Sequence, residues 1–169
     1  TQSPDDDEVI VYQKGAYVLH MLRGMMLDLN TYSDSAFYAM MREFHTLYRG
    51  RFATTRDFKA LTEKYLGADM TWFFDQWVYG NTIPTYKFSY QLEQDSVGRY
   101  LAHCLVEQSE VAPDFKMPVP IEIRFRAGGS AWIRQWIDKP KCEFTIPIEG
   151  EPGEIIFNPM HFVLAEVKQ

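Results

Sequence analysis

The periodicity of hydrophobic residues changes at Pro84, and this change constrains the fold more than any other feature of the sequence. Over residues 9–79, apolar side chains recur at i, i+3, i+4 and i+7, a spacing that predicts amphipathic helices. Over residues 85–167, apolar and polar residues alternate, which is typical of half-buried strands. The sequence therefore predicts a helical part over residues 1–83 and a β part over residues 84–169.

Several polar residues and glycines mark the expected ends of the helices. Ser33 is predicted to cap the second helix. Thr54 and Asp57 have the spacing of a capping box, and Gly67 stands where a glycine ends a helix. Asp69 is predicted to cap a short fourth helix before the change of period.

The first predicted helix, over residues 11–27, carries apolar side chains on nearly every face. A helix that is apolar all round is usually buried by protein on several sides. The three short helices that follow can bury only part of its surface. We therefore expect it to pack against polypeptide that this chain does not contain. The sequence begins with Thr1 and has no signal-peptide pattern, so we also expect the native N-terminus to be missing and make no prediction of localisation.

About seven short strands are predicted in the β part, the last of them over residues 162–167. Gly128-Gly129 is expected to join two of them as a hairpin. Short antiparallel strands separated by Pro and Gly favour a sandwich of immunoglobulin-like architecture. The predicted fold class is therefore multi-domain, with a partial all-α helical subdomain followed by an all-β immunoglobulin-like sandwich.

Charge and motif content exclude several classes of function. With 17 Lys+Arg against 23 Asp+Glu, the net charge of −6 argues against a nucleic-acid-binding protein. No apolar run approaches the ~20 residues of a membrane span, so no transmembrane segment is expected. None of the four histidines is followed by Glu, so the HExxH zinc motif is missing, as are CxxC, the P-loop and GxSxG.

Four weaker candidate sites each have a structural alternative that we favour. Cys104 and Cys142 are expected to be buried free thiols in preference to a disulfide. His20, in the middle of the first helix, is expected to be a core or interface residue in preference to a catalytic base. Trp132 and Trp136, with Arg134 between them, could form a glycan-binding platform, but packing in the sandwich core is favoured. The fourth candidate is the acidic run that precedes the first helix, Asp5, Asp6, Asp7 and Glu8. Favourable charge at a helix N-terminus is preferred there over a site for a cation or a substrate amine.

One group of motifs is more specific. The first helix contains YQKGA at residues 12–16, followed by VLHMLR at residues 18–23. Further along are FATTRDF at 52–58, WFFDQW at 72–77 with Gly80 and Pro84 after it, MPVP at 117–120 and FNP at 157–159. In their order and spacing these segments resemble the zinc aminopeptidase family typified by aminopeptidase N. The similarity is good over residues 9–92 and weaker beyond.

This resemblance implies the activity of a longer parent protein. Members of the family bind zinc through HExxH and a later Glu, and they remove N-terminal residues from peptides. The Glu of HExxH is the general base, and an upstream strand holds the free amine of the substrate. The tyrosine of Tyr-x-Lys-Gly-Ala donates a hydrogen bond to the tetrahedral oxyanion. By position this catalytic role falls on Tyr12, while Lys14 and Gly15 are expected to be structural.

This chain departs from the family because it has no HExxH, no later Glu ligand and no amine-binding strand. The resemblance thus implies the C-terminal portion of a thermolysin-like catalytic domain with the β part behind it. Zinc is expected in the full-length parent and none is expected on this chain. The partners expected are the missing N-terminal catalytic domain and, through the parent, a peptide substrate. This chain alone is predicted to be inactive.

Two other functions remain open at this point. The parent could be a non-catalytic relative that has lost zinc and serves as a scaffold or as a protein or glycan interaction module. The chain could also be a complete small adaptor. The latter predicts a monomer with no exposed apolar strip along the first helix.

Overall fold

The computed structural model describes the backbone of residues 4–168 and the side chains of residues 13–168. The chain divides into two compact units, Thr1–Asn81 and Thr82–Gln169. The boundary lies two residues before the one expected from the sequence. The assignment of the two parts as the end of a peptidase catalytic domain and a following domain stays a prediction.

The first unit is helical. Its elements are α1 (Pro4–Met26), α2 (Ser35–Tyr48), α3 (Thr55–Leu66) and α4 (Thr71–Phe74), with a π-helical turn (Asp75–Tyr79) continuing from α4. The core of this unit is formed by side chains that are almost fully buried: Met21, Leu22, Met40, Leu61, Met70, Phe73, Phe74 and Trp77. No helix in the described part of the chain is both long and apolar enough to cross a membrane.

The ends of α3 are as predicted. Thr54 is the N-cap, its hydroxyl accepts a hydrogen bond from the Asp57 amide at 3.2 Å, and the Asp57 carboxylate accepts one from the Thr54 amide at 2.8 Å. Gly67 ends the helix in the left-handed region at φ +66°. The capping box and the C-terminal glycine were local signals, so no distant contact was needed to predict them.

The predicted cap of α2 is wrong. The N-cap is Asp34 instead of Ser33, and its side chain makes no capping hydrogen bond. The Asp34 carboxylate instead accepts a hydrogen bond from Nε of Arg23 at 2.7 Å and lies 2.6 Å from a terminal nitrogen of the same guanidinium. This contact links the end of α1 to the start of α2, and it is a tertiary interaction that local sequence does not reveal.

An ion pair and a phenol join α2 to α3. Oε1 of Glu43 lies 2.6 Å from Nζ of Lys64, and Oε2 accepts a hydrogen bond from the Tyr65 hydroxyl at 2.9 Å. The hydrogen bond from Lys64, followed by that from Tyr65, lowers the pKa of the Glu43 carboxyl. The Phe44 and Phe58 rings meet edge to face at 5.1 Å beside these polar contacts.

The second unit contains seven strands in two sheets. The strands are β1 (Thr85–Gln94), β2 (Tyr100–Ser109), β3 (Met117–Phe125), β4 (Ser130–Ile137), β5 (Lys141–Ile148), β6 (Pro152–Phe157) and β7 (Glu166–Lys168). One sheet has the order β5-β2-β1-β7 and the other the order β4-β3-β6. The Phe157 ring packs on Tyr86 and Phe88 at 5.4 and 5.1 Å, which joins the two sheets across the core.

The predicted fold class, a multi-domain chain with a partial all-α subdomain and an all-β immunoglobulin-like sandwich, is wrong. Over residues 4–168 the structure has four α-helices and seven strands in two sheets, with roughly equal helix and strand content. The strands are also not all antiparallel, because β7 pairs parallel with β1. Alternation of apolar and polar residues indicates that a segment is a strand. It does not indicate the direction of that strand or the sheet that it joins.

The C-terminal strand is shorter than predicted. A strand was expected over 162–167, but only Glu166–Lys168 pairs, and residues 159–161 form a short 3₁₀ helix. Asn158 holds the connecting segment: its buried side-chain amide donates to the Val163 carbonyl and accepts from the Val163 amide, both at 2.8 Å. These hydrogen bonds hold a turn after β6. The alternation of apolar and polar residues does not predict such a turn.

Candidate functional site

The residue predicted to be catalytic, Tyr12, belongs to α1, and its side chain lies outside the described residues. The catalytic role of its hydroxyl therefore stays a prediction. The acidic run Asp5, Asp6, Asp7 and Glu8 follows Pro4 at the start of the same helix, and those side chains also lie outside the described part.

A groove begins on α1 immediately after Tyr12. Its volume is about 710 Å³. The residues that line it come from all the helices of the unit: Lys14, Gly15, Val18 and Leu19 from α1, Phe44 from α2, Ala53, Thr54, Thr55 and Phe58 at the start of α3, and Phe74, Trp77 and Val78 near the end of the unit. Most of this surface is aliphatic or aromatic, so it is suited to apolar side chains more than to a polar ligand.

Lys14 fixes one edge of the groove. Its ammonium group donates a hydrogen bond to the backbone carbonyl of Gly80, at the end of the π-helical turn. The contact spans 66 residues and joins α1 to the last element of the helical unit. This geometry gives Lys14 a structural role, as the sequence led us to expect.

Gly15 leaves a bare stretch of helix in the groove wall. A Cβ placed on this residue would meet no heavy atom within 4 Å in the described chain beyond its chain neighbours and its own helix backbone. Glycine was expected here because it permits close approach of a neighbour. No residue of the described part makes that approach, and the side chains of the preceding turn of α1 lie outside that part.

The capping box of α3 lies at the opposite edge. The hydroxyl of Thr54 donates to Oδ2 of Asp57 at 2.7 Å. The hydrogen bonds from Thr54, together with one from Tyr48, lower the pKa of the Asp57 carboxyl. Asp57 is thus a firmly ionised capping group, and it is poorly suited to carry a proton in catalysis near neutral pH.

The described part of the groove does not contain the groups that hydrolysis requires. Among its lining residues Lys14 alone is ionisable, and its ammonium is already engaged with Gly80. Within residues 13–168, no three His, Cys, Asp or Glu side chains are grouped so that they could hold a metal ion. What this surface can do chemically is bind apolar groups beside positive charge.

Comparison with known proteins relates this architecture to a peptidase. No family model matches the sequence, and no curated protein matches it. The fold is similar to part of aminopeptidase A from Legionella pneumophila, solved in complex with aspartic acid, with a TM-score of 0.67 and 19% sequence identity. The match covers 93% of this chain and 17% of that chain, so this chain spans a small part of the length of the aminopeptidase. At this level of identity the likeness is one of fold.

The predicted alternatives outside the groove have mixed outcomes. Cys104 and Cys142 are buried free cysteines, as expected. His20 is half-buried, with its ring edge-on to Tyr17 at 5.8 Å, which agrees with a packing role.

The two tryptophans are not in the core between the sheets, contrary to our preference. Trp132 is the partner of Glu122 in β3, on the face opposite to the one that Ile121 presents to the core. Its ring lies edge-on to Phe162 at 6.2 Å. Trp136 is on the same outer face and is 46% exposed. The alternation of residues along the strand correctly predicted that both tryptophans lie on one face of β4. It could not show which face of the sheet points to the core.

Sequence reasoning missed the segment that leads into the first turn of α3. Residues 49–56 contain Arg49, Arg51 and Arg56 and no acidic residue, although the chain as a whole is acidic. Phe52, in the middle of this segment, is fully exposed at 102%. The local excess of arginine around an unpaired aromatic residue was the signal that could have identified it.

Proposed function

We propose that this chain is the C-terminal portion of a zinc-dependent aminopeptidase that removes N-terminal residues from peptides. The observation that carries the proposal is the ordered set of motifs beginning with residues 12–16, on a chain whose fold is similar to part of an aminopeptidase. Each motif alone is weak, whereas the whole set in this order and spacing is specific. The chain would form the end of the catalytic domain and the two-sheet unit that follows.

In this proposal Tyr12 stabilises negative charge on the reacting carbonyl. An unperturbed phenol has a pKa of about 10, so it is protonated at neutral pH and can donate a hydrogen bond when an oxyanion forms. A donor carried on a helix needs little reorganisation during the reaction. Loss of one such donor typically costs ~3 kcal/mol of transition-state stabilisation.

The residues of this chain do not fit the zinc of the family. The sequence has no HExxH, and the described side chains offer no group of three metal ligands. In the proposed parent, zinc and the general base would therefore belong to polypeptide outside this chain. The 169-residue chain should not hydrolyse aminoacyl p-nitroanilides, with or without added Zn²⁺.

The decisive experiment is Tyr12→Phe in the full-length parent. The variant should lower kcat by about 10²- to 10³-fold with little change in KM, because the interaction is made only in the transition state. Tyr79→Phe is the matched control, since Tyr79 is exposed and distant in sequence from the motif, and it should leave kcat unchanged. Unchanged turnover in the Tyr12 variant would remove this residue from the mechanism.

The sequence of the parent offers a second check. An HExxH motif with a later Glu, both upstream of Thr1, is expected. Degenerate ligands there would favour the alternative of a non-catalytic relative that acts as a scaffold or interaction module.

A further inference from the structure

We propose that the groove on the helical unit binds an acidic amphipathic helix from the polypeptide that precedes this chain in the parent. The inference rests on the proposed function, because it needs a longer parent. It adds the surface on which the two parts meet and the chemistry of the partner segment.

The walls of the groove supply the apolar part of the argument. Leu19 of α1, Phe44 of α2 and Phe58 of α3 are partly exposed and line a space of about 710 Å³. The other rings that line it, Phe74 and Trp77, are almost fully buried. An apolar groove between helices is a common binding site for the apolar face of another helix.

Gly15 indicates close approach of the partner. A glycine inside a helix costs ~1 kcal/mol relative to alanine, and a Cβ at this position would meet no atom of another described element within 4 Å. The space in front of it is part of the groove. A partner backbone passing over Gly15 would use the room that its missing side chain leaves.

The charge at the rim indicates what the partner carries. Arg56 directly follows the lining residue Thr55, and Arg49 and Arg51 lie shortly before the lining residue Ala53. All three side chains are exposed. The charge of Arg56 contributes to the lowered pKa of the neighbouring Asp57 carboxyl, whereas Arg49 and Arg51 have no acidic neighbour in this segment. Three cations beside an apolar groove are complementary to carboxylates that flank an apolar stripe.

The test measures access to the groove in the parent and in this chain. Ala53→Cys places a thiol at an exposed lining position, and Ala127→Cys places one at an exposed turn of the β unit as a matched control. In the 169-residue chain both should react rapidly with a maleimide. In the full-length parent Cys at 53 should react at least tenfold more slowly, while Cys at 127 keeps its rate.

The native thiols give a low background for this labelling. Cys104 and Cys142 are both buried. Burial raises the pKa of the Cys104 thiol to about 11, so little reactive thiolate forms near neutral pH. The labelling rates at positions 53 and 127 can also be compared within the folded parent. This second measurement does not require the isolated chain to be stable.

A charge variant tests the acidic character of the partner. In the Ala53→Cys parent, the combined change R49Q/R51Q/R56Q should raise the labelling rate several-fold, as should added salt. The control K87Q/K141Q/K168Q removes the same charge from exposed lysines of the β unit and should have no effect.

Three results would overturn the proposal. Equal labelling at position 53 in the parent and in the isolated chain would show that the groove stays open. Protection that is unaffected by the arginine changes would refute the acidic partner. Protection in a concentration-dependent dimer of this chain would identify a second copy as the occupant. An active parent with an open groove would refute this inference alone, and an inactive parent with a protected groove would refute the catalytic proposal alone.

Discussion

Two glycines of the helical unit lie in opposite steric situations. A Cβ on Gly80 would overlap the backbone oxygen of Gln76 and lie 3.1 Å from that of Asp75, whereas a Cβ on Gly15 would meet no described atom within 4 Å. Gly80→Ala should therefore lower the free energy of unfolding by about 2 kcal/mol or more. Gly15→Ala should raise it in this chain by about 0.5–1 kcal/mol.

Urea unfolding of the two variants against wild type measures both effects. Since each change adds one methyl group to the same unit, each is the control for the other. A destabilising Gly15→Ala in this chain would mean that a neighbour already fills the space over α1.

At the scale of single residues, sequence reasoning succeeded where the contact was local. Thr54 caps α3 and Gly67 ends it, because both roles are decided within one turn of helix. Ser33 was wrong because Asp34, the true N-cap, is held by Arg23 from another helix. The role of Tyr12 came from resemblance alone, and it stays a prediction.

At the scale of the elements, the contribution of the capping box to the stability of α3 can be tested. Thr54→Ala removes the hydroxyl that bonds the amide and the carboxylate of Asp57, and should cost about 1 kcal/mol of unfolding free energy. Thr55→Ala, one position later and outside the cap, is the matched control. Urea unfolding distinguishes them, and equal losses would show that the capping box contributes nothing specific.

The same pair of residues sets the expected response to acid. The hydrogen bonds of Thr54 make the pKa of Asp57 lower in the folded than in the unfolded state. Ionised Asp57 therefore contributes to the free energy of unfolding above its pKa in the unfolded chain, about 4. This contribution is lost as the pH falls through the pKa of Asp57 in the folded state. The difference in stability between wild type and Thr54→Ala should narrow as the pH is lowered below about 4.

Elements with strong periodicity were predictable, and short irregular ones were not. The hairpin at Gly128-Gly129 forms as expected, with both glycines at positive φ. The periodicity predicts a helix through Asp75–Tyr79 but not its π form, and it gives no sign of the break at Asn158. That break depends on the hydrogen bonds between Asn158 and Val163, which the local pattern does not reveal.

For the whole molecule, the groove predicts how the isolated chain behaves. Its apolar walls should bind a hydrophobic fluorescent dye while near-ultraviolet circular dichroism shows intact packing. Leu19→Glu, which places a charge in the wall, should reduce the signal, and the full-length parent should bind little dye. Absence of dye binding to the native chain would favour the complete small adaptor.

The same scale shows why the fold class was wrong. Period 2 identified the β part, but sheet order and the parallel pairing of β7 with β1 depend on contacts between distant segments. Such pairings are set by the packing of the whole unit. Strand number and turn residues therefore could not distinguish this two-sheet arrangement from an immunoglobulin topology.

The parallel pair has a consequence for biosynthesis. Thr85 at the start of β1 pairs with Glu166 of β7, 81 residues later. A ribosome therefore completes β1 long before it makes the strand that covers one of its edges. During that interval the nascent chain carries an open hydrogen-bonding edge, which is the usual starting point for aggregation between chains. Loss of residues 166–168 would make this temporary exposure permanent in the finished protein.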